Sequence, residues 1–213
     1  MTSDTIRVLL VDDHTVARNG VRLMLSAAPD IRVTGEAASA AEAMQCVASD
    51  SFDVALVDIA LPGRNGLDLL RSLHASHPEL AVLILSTYAE DIYALRAHKL
   101  GAAGYLTKDN PTSTLIDAVR KAAAGGKYVS ATLAETFAGM MGGRTSGSHG
   151  TLSNREMEVL TLLANGTSLI AIGETLHLSP KTVTTYRARI LEKLSLGSNA
   201  ELARYAIEHG LLA

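Results

Sequence analysis

Disulfides, a membrane span and an aromatic core are all missing from this chain of 213 residues. It contains a single cysteine, Cys46, and no tryptophan, and aromatic residues make up only 4% of it. One cysteine excludes an intramolecular disulfide, and its commonest role is that of a small buried apolar residue. No apolar run approaches the roughly 18 residues that a membrane-spanning helix needs, and the polar start is unlike a secretory signal. We therefore expect a soluble, cytoplasmic protein with no membrane partner.

A charge of one sign is also lacking, because 19 basic and 22 acidic residues leave a net charge of only −3. Residues 151–213 contain no Asp, and their basic and acidic residues balance. Most basic residues of that part fall within one short segment: Lys181, Arg187, Arg189 and Lys193. Any contact with nucleic acid must therefore come from this local cluster and not from the overall charge.

Residues 1–126 alternate between short apolar runs and stretches of helical periodicity. Strands that are apolar throughout are buried on both faces, which predicts a parallel sheet covered by helices on both sides. The predicted fold class is α/β, a doubly wound five-stranded parallel sheet of flavodoxin-like order 2-1-3-4-5. The predicted strands are 6–11, 31–37, 52–58, 81–86 and 104–107, and the predicted helices are 15–27, 39–48, 65–77, 91–100 and 111–124.

A Gly/Ser-rich segment separates this part from the rest of the chain. We predict a linker over 127–150, with one more short helix near 129–141. From residue 151 every pattern is helical, and Ser153 with Glu156 forms a capping-box pattern at the first start. Four short helices joined by short turns predict a small all-α helix-turn-helix domain over 151–213.

Ligand sites of parallel sheets lie beyond the carboxyl ends of the strands, where the strand order reverses. The first predicted strand is followed by Asp12 and Asp13, the third ends in Asp58, the fourth ends in Ser86, and Lys108 follows the fifth. Clustered carboxylates repel one another unless a cation neutralises them, and oxygen ligands suit Mg²⁺. Mg²⁺ beside a carboxylate, a lysine and a hydroxyl indicates phosphoryl transfer.

Each of these residues taken alone has a plainer interpretation. Asp58 is also a common kind of turn residue, Asp12 and Asp13 could cap a helix, and Lys108 could be a solvated surface lysine. Their joint placement at the ends of four strands is what favours a shared site.

The motifs Val-Asp-Asp at 11–13, Val-Asp-Ile-Ala-Leu-Pro-Gly at 57–63, Ser86 and Gly-Tyr-Leu-Thr-Lys at 104–108 resemble the receiver domain of bacterial response regulators. The resemblance covers about residues 5–125. It implies that Asp58 accepts a phosphoryl group from a phosphohistidine on a sensor histidine kinase. It also implies that Ser86 and Lys108 bind the phosphoryl oxygens.

The same resemblance implies a metal site and a switch residue. Mg²⁺ would be bound by Asp13 and Asp58, by Asp12 partly through water, and by the backbone carbonyl of Ala60. Tyr105 would turn inward when the serine at the end of the fourth strand moves. The alternative for Tyr105 is a half-buried strand residue without a switching role.

Residues 152–203 resemble the LuxR-type DNA-binding domain, through Leu-Ser-Asn-Arg-Glu at 152–156, Leu-Ser-Pro-Lys-Thr-Val at 178–183 and Ile-Leu-Glu-Lys-Leu at 190–194. The whole chain thus resembles a NarL/FixJ-type response regulator. On the helix from Pro180, an apolar stripe predicts the core side, and small or polar residues predict a face for the major groove. The alternative is a solvated basic face. The predicted DNA-binding residues are Lys181, Thr182, Thr184, Thr185, Arg187, Ala188, Arg189 and Lys193.

One departure from this family lies at Leu169, Ile170 and Ala171, which are apolar where the family is usually polar. Our hypothesis is that this patch makes a contact, for example with the first domain in the resting state.

We expect a two-state regulator that is not an enzyme beyond its own phosphorylation and dephosphorylation. Its expected partners are a sensor histidine kinase, double-stranded DNA, a second copy of itself when phosphorylated, and RNA polymerase as a further candidate. Two alternatives stay open: a phosphate-independent transcription factor, and a flavodoxin-like cofactor domain or Mg²⁺-dependent phosphohydrolase. The resting oligomeric state and the choice between activation and repression also stay open.

Overall fold

The structure, a computed structural model, describes residues 5–88, 90–135, 151–209 and 211–212. The chain divides into two compact units, Met1–Ser130 and Ala131–Ala213. In the described part of the chain, no helix is both long and apolar enough to cross a membrane.

The first unit contains a five-stranded sheet. Its strands are β1 (Ile6–Val11), β2 (Ile31–Ala37), β3 (Val54–Val57), β4 (Ala81–Ser86) and β5 (Gly104–Thr107). All neighbouring strands are parallel and their order is β2-β1-β3-β4-β5, which confirms the predicted fold class.

The strand β3 is shorter than predicted at both ends. Before the strand, the Asp53 carboxylate accepts a hydrogen bond from the backbone N–H of Arg7 at 2.7 Å, in addition to the pairing between the two backbones. After it, Asp58 leaves the strand for the loop that forms the candidate site. A side-chain bond of this kind cannot be recognised from apolar patterning.

Five helices cover the sheet: α1 (Thr15–Leu25), α2 (Ala40–Ser49), α3 (Gly66–Ser76), α4 (Glu90–Lys99) and α5 (Thr112–Ala123). Each lies within two residues of its predicted bounds. The start of α2 is capped by Ser39, whose hydroxyl accepts from the Glu42 backbone N–H at 3.2 Å. The Glu42 carboxylate bonds the Ala38 backbone instead of returning to Ser39, so the reciprocal half of a capping box is not made there.

One large core cluster of this unit consists of aliphatic side chains, and Leu10, Leu56, Leu83 and Leu115 are almost completely buried in it. This packing matches the scarcity of aromatic residues. An apolar residue on a helix does not always face this core, because Val16 and Leu23 of α1 are 86% and 74% exposed. The core contact of α1 is made by its other face, through Val21, Met24 and Leu25.

The second unit contains α6 (Asn154–Ala164), α7 (Leu169–Thr175), α8 (Pro180–Leu194) and α9 (Asn199–Glu208). A serine side chain caps the start of each one by accepting from a backbone N–H: Ser153, Ser168, Ser179 and Ser198. At Ser153 both halves of the predicted capping box are present. Residues 131–135 are also helical. They fall within the short helix predicted over 129–141, of which residues 129 and 130 are not helical and residues 136–141 lie outside the described part of the chain.

Candidate functional site

Three carboxylates meet at the carboxyl ends of β1 and β3. The Asp58 backbone donates to the carbonyl of Val11 at 2.8 Å, which aligns the ends of the two strands. Oxygens of Asp12, Asp13 and Asp58, together with a ring nitrogen of His14, lie within 4.8 Å of one another. The strand order therefore brings together the acids that the sequence had placed at separate strand ends.

Lys108 bridges two of these carboxylates. Its Nζ donates to Asp12 Oδ2 at 2.6 Å and to Asp58 Oδ2 at 2.8 Å, and its backbone N–H donates to the Ser86 carbonyl at 2.8 Å. Only 18% of its side chain is exposed, so it is not a solvated surface lysine. Burial lowers the pKa of Lys108, but the two carboxylates outweigh burial and hold that pKa above its ordinary value.

The two carboxylate oxygens of Asp58 have different surroundings. Lys108 bonds Oδ2, whereas Oδ1 is buried and accepts no hydrogen bond from the described residues. Burial raises the pKa of Asp58 above its ordinary value, although the charge and hydrogen bond of Lys108 oppose this. A single ammonium does not neutralise three carboxylates. Three carboxylates, one with a buried oxygen that lacks a hydrogen-bond donor, fit a hard divalent cation such as Mg²⁺.

The loop from β3 to α3 positions Asp58 through its backbone. The Ala60 backbone N–H lies near enough to the Asp58 carboxyl to help lower its pKa, without a hydrogen bond to Oδ1. The Gly66 N–H donates to the Ile59 carbonyl at 2.8 Å. A Cβ atom at Gly66 would overlap the Asp58 carbonyl oxygen, so this glycine allows the close approach. No described contact tests the predicted role of the Ala60 carbonyl.

Ser86 and Tyr105 both hydrogen-bond the backbone of Tyr88, two residues after the end of β4. The Ser86 hydroxyl accepts from the Tyr88 backbone N–H at 3.2 Å, and the Tyr105 hydroxyl donates to the Tyr88 carbonyl at 2.8 Å. Tyr105 is fully buried, which excludes the half-buried interpretation. Burial raises the pKa of its hydroxyl, which therefore stays protonated as a donor.

Two further residues contact the acids and were missed in the sequence. Arg18 of α1 donates to the backbone carbonyl of Asp12 and, at 3.3 Å, to Glu36. His14 Nδ1 lies 2.8 Å from Asp13 Oδ1, and its backbone N–H donates to Asp12 Oδ1. The N-cap of α1 is His14, so Asp12 and Asp13 are not the capping residues. The only signal for Arg18 was its position one turn into the helix after the acids.

The helix α8 presents the face that was predicted for DNA. Val183, Ile190 and Leu194 are buried on the core side. Among the eight predicted contacts, Thr182 and Arg187 are half-buried and the others are exposed. The hydroxyls of Thr184 and Thr185 donate to backbone carbonyls one turn earlier, at 2.9 and 3.1 Å. The groups of these threonines that could still contact the edge of a base are the methyl groups and the remaining lone pairs of the hydroxyl oxygens.

A shallow concavity of about 290 Å³ lies beside this face and contains two cations and three hydroxyl groups. It is lined by Lys181, Thr182, Thr185, Tyr186 and Arg189. Tyr186, which is half-buried, was not among the predicted contacts. Such a basic concavity suits a phosphate group of a nucleic acid backbone.

Two of the predicted contacts have polar partners inside the second unit. Arg187 Nε donates to Asn199 Oδ1 at 2.6 Å, and Lys193 Nζ donates to Glu156 Oε2 at 2.6 Å. In the apolar patch of α7, Ile170 is 64% exposed and Leu169 is half-buried. The hypothesis that this patch contacts the first unit stays a prediction.

Comparison with known proteins matches two family models to this chain. Residues 8–120 match the response regulator receiver domain, and residues 150–206 match the bacterial regulatory proteins of the luxR family. The response regulator GacA of Pseudomonas viridiflava is 37% identical over 209 residues, which cover 97% of this chain and 98% of GacA.

Solved structures are similar over almost the full length. The crystal structure of ChrA, a response regulator in a heme-sensing two-component system, is 34% identical with a TM-score of 0.54, covering 98% of this chain and 99% of ChrA. RcsB of Salmonella enterica serovar Typhimurium, bound to promoter rprA with the phosphomimetic BeF3-, is 23% identical. Its TM-score is 0.65, covering 94% of this chain and 98% of RcsB, and it shows the fold alone.

The chain belongs to the bacterial two-component response regulators of the NarL/FixJ family, which join a receiver domain to a LuxR-type helix-turn-helix DNA-binding domain. This membership leaves the flavodoxin-like and phosphohydrolase alternatives without support.

Proposed function

We propose that Asp58 accepts a phosphoryl group from a sensor histidine kinase and that this reaction controls DNA binding by α8. The observation that carries the proposal is the Asp58 carboxylate. One of its oxygens is bonded to Lys108, and the other is buried without a donor in the described structure. A phosphoryl acceptor needs such a free carboxylate oxygen beside positive charge.

In this reaction an Asp58 oxygen attacks the phosphorus of a phosphohistidine. A P–O bond forms and the P–N bond breaks. The imidazole of the kinase, already protonated on its other ring nitrogen, leaves as the neutral base. Mg²⁺, held by Asp12, Asp13, Asp58 and the Ala60 carbonyl, would neutralise charge on the acids and on the transferred group. Lys108 already lies at hydrogen-bond distance from Asp58 and is protonated, so it can bind a phosphoryl oxygen without a change of charge.

The signal would leave the site through the loop after β4. A phosphoryl oxygen that attracts the Ser86 hydroxyl would compete with its hydrogen bond to the Tyr88 backbone, and Tyr105 holds the same residue from the other side. The loop leads into α4, where the Glu90 carboxylate accepts from the Ser130 hydroxyl at 2.6 Å. Ser130 is the last residue of the first unit, so this route ends at the boundary between the two units in the sequence.

Phosphorylation would favour a homodimer whose two α8 helices bind two half-sites on double-stranded DNA. The exposed face of α8 and the basic concavity beside it support the DNA contact. A DNA-binding regulator acts where the DNA is, so we propose a cytoplasmic location, with RNA polymerase as a further partner.

The phosphorylation step is tested with acetyl phosphate and Mg²⁺ on a gel that retards phosphoproteins. We expect a retarded band for the wild-type chain, and none for Asp58→Ala or without Mg²⁺. The matched control is Asp53→Ala, which removes a carboxylate at the other end of the same strand. A retarded band of equal intensity in Asp58→Ala would refute the proposal.

A further inference from the structure

Two side chains in the first turn of α6 contact α7 and α8, the two helices of the helix-turn-helix, at their C-terminal ends. Arg155 Nη2 donates to the carbonyl of Leu176, the C-cap of α7, at 2.6 Å. The next residue, Glu156, accepts from the ammonium of Lys193 in the last turn of α8, at 2.6 Å. Two adjacent side chains of one turn therefore tie α7 and α8 to the same support.

The Glu156 carboxylate is bound from several sides. It is 3% exposed, and the same oxygen that pairs with Lys193 also accepts from the Ser153 backbone N–H at 2.7 Å. Burial raises the pKa of Glu156, but the hydrogen bonds from Lys193 and Ser153 outweigh burial and hold that pKa below its ordinary value. The ammonium of Lys193 is also 3.5 Å from the Thr151 carbonyl.

We propose that Lys193 is a positioning residue, whose pairing with Glu156 sets the orientation of α8, and that it does not bind a DNA phosphate. This inference rests on the proposed DNA binding by α8. It gives Lys193 a role different from that of Arg189, which is exposed on the same helix and has no ion-pair partner among the described residues.

Two physical arguments favour this role. If Lys193 moved to a phosphate, the Glu156 carboxylate would remain buried and charged without its partner, which is strongly unfavourable. Lys193 also lies far from the reading end of the helix. At 1.5 Å per residue it is about 18 Å from Lys181, and helix-turn-helix proteins contact bases mainly through the start of the second helix. A change of tilt at Lys193 would therefore displace the residues that enter the groove.

The test compares full-length Lys193→Met, Glu156→Gln and Arg189→Met in binding to a short labelled duplex of random sequence over a range of salt concentrations. The temperature is kept where circular dichroism shows each variant fully folded. If Lys193 only stabilised the fold, the DNA affinity of its variant would then equal that of the wild type. We expect Arg189→Met to reduce the salt slope by about 0.9, the value for one lost phosphate contact. We expect Lys193→Met and Glu156→Gln to weaken DNA binding by factors similar to each other. We expect both variants to keep the salt slope of the wild type.

The two possible roles of Lys193 predict opposite results for Glu156→Gln. If Lys193 binds phosphate, removing the nearby negative charge frees the ammonium and tightens DNA binding, whereas our proposal predicts weaker binding. A salt slope reduced by about 0.9 in Lys193→Met would overturn the proposal.

The double variant gives a readout that does not involve DNA. We expect the combined loss in thermal midpoint for Glu156→Gln with Lys193→Met to be smaller than the sum of the single losses, since both remove one pair. Additive losses would contradict the pairing. If the wild-type chain fails to bind DNA at all, the proposed function fails, and this thermal comparison still decides on the pair.

Discussion

Asp58 is a buried acid whose charge is only partly compensated. Burial raises its pKa above the ordinary value, so the charged form of Asp58 is less favoured in the folded chain than in the unfolded chain. For an acid shifted in this direction, folding is favoured while the carboxyl is protonated. The free energy of unfolding falls as the pH rises above 3.8, the ordinary pKa, and through the pKa of the folded state. At neutral pH the free acid therefore destabilises the fold.

The first prediction follows from this charge. We expect Asp58→Asn to unfold at a higher temperature than the wild type at neutral pH, and the difference to shrink as the pH is lowered toward 4, in line with the linkage between charge and stability. Mg²⁺ should raise the midpoint of the wild type more than that of Asp58→Asn. Thermal unfolding followed by circular dichroism measures both, and an Asn variant less stable at every pH would contradict the account.

At the scale of elements, the sheet and most helices could be predicted because uninterrupted apolar runs and serine caps are local signals. The strand ends then placed Asp12, Asp58 and Lys108 in one site. What could not be predicted depends on contacts between distant residues. Arg18 reaches the backbone of Asp12, and Val16 lies on the exposed face of α1 despite its apolar side chain. Apolar spacing shows that a helix forms but does not by itself show which face is packed.

Two glycines give a prediction at this scale. A Cβ at Gly66 would overlap the backbone of Asp58, whereas a Cβ at Gly20 in α1 meets nothing within 4 Å. We expect Gly20→Ala to stabilise the fold by about 0.5 to 1 kcal/mol, because alanine is the better helix former. We expect Gly66→Ala to displace the loop that carries Asp58, lowering both the thermal midpoint and the rate of phosphorylation by acetyl phosphate. Unchanged phosphorylation in Gly66→Ala would contradict this view of the loop.

At the scale of the whole molecule, the proposed switch requires that the phosphorylation state of the first unit changes DNA binding by the second. The hydrogen bond between Glu90 and Ser130 connects the start of α4 with the last residue of the first unit. We expect Ser130→Ala to increase the DNA affinity of the unphosphorylated chain. The difference in affinity between the phosphorylated and unphosphorylated forms should become smaller. Ser130→Thr, which keeps the hydroxyl, is the matched control. Fluorescence anisotropy with labelled DNA checks both variants, and wild-type behaviour of Ser130→Ala would exclude this connection.

The central claim is that the charge state of Asp58 controls DNA binding by α8. The most direct measurement is selection of bound duplexes from a random pool, followed by the affinity of the selected duplex with and without beryllofluoride and Mg²⁺. We predict that these additions tighten binding by the wild-type chain and leave Asp58→Ala unchanged. Equal affinity of the wild type in both conditions, or an equal response in Asp58→Ala, would contradict the account and would favour a transcription factor that acts without phosphorylation.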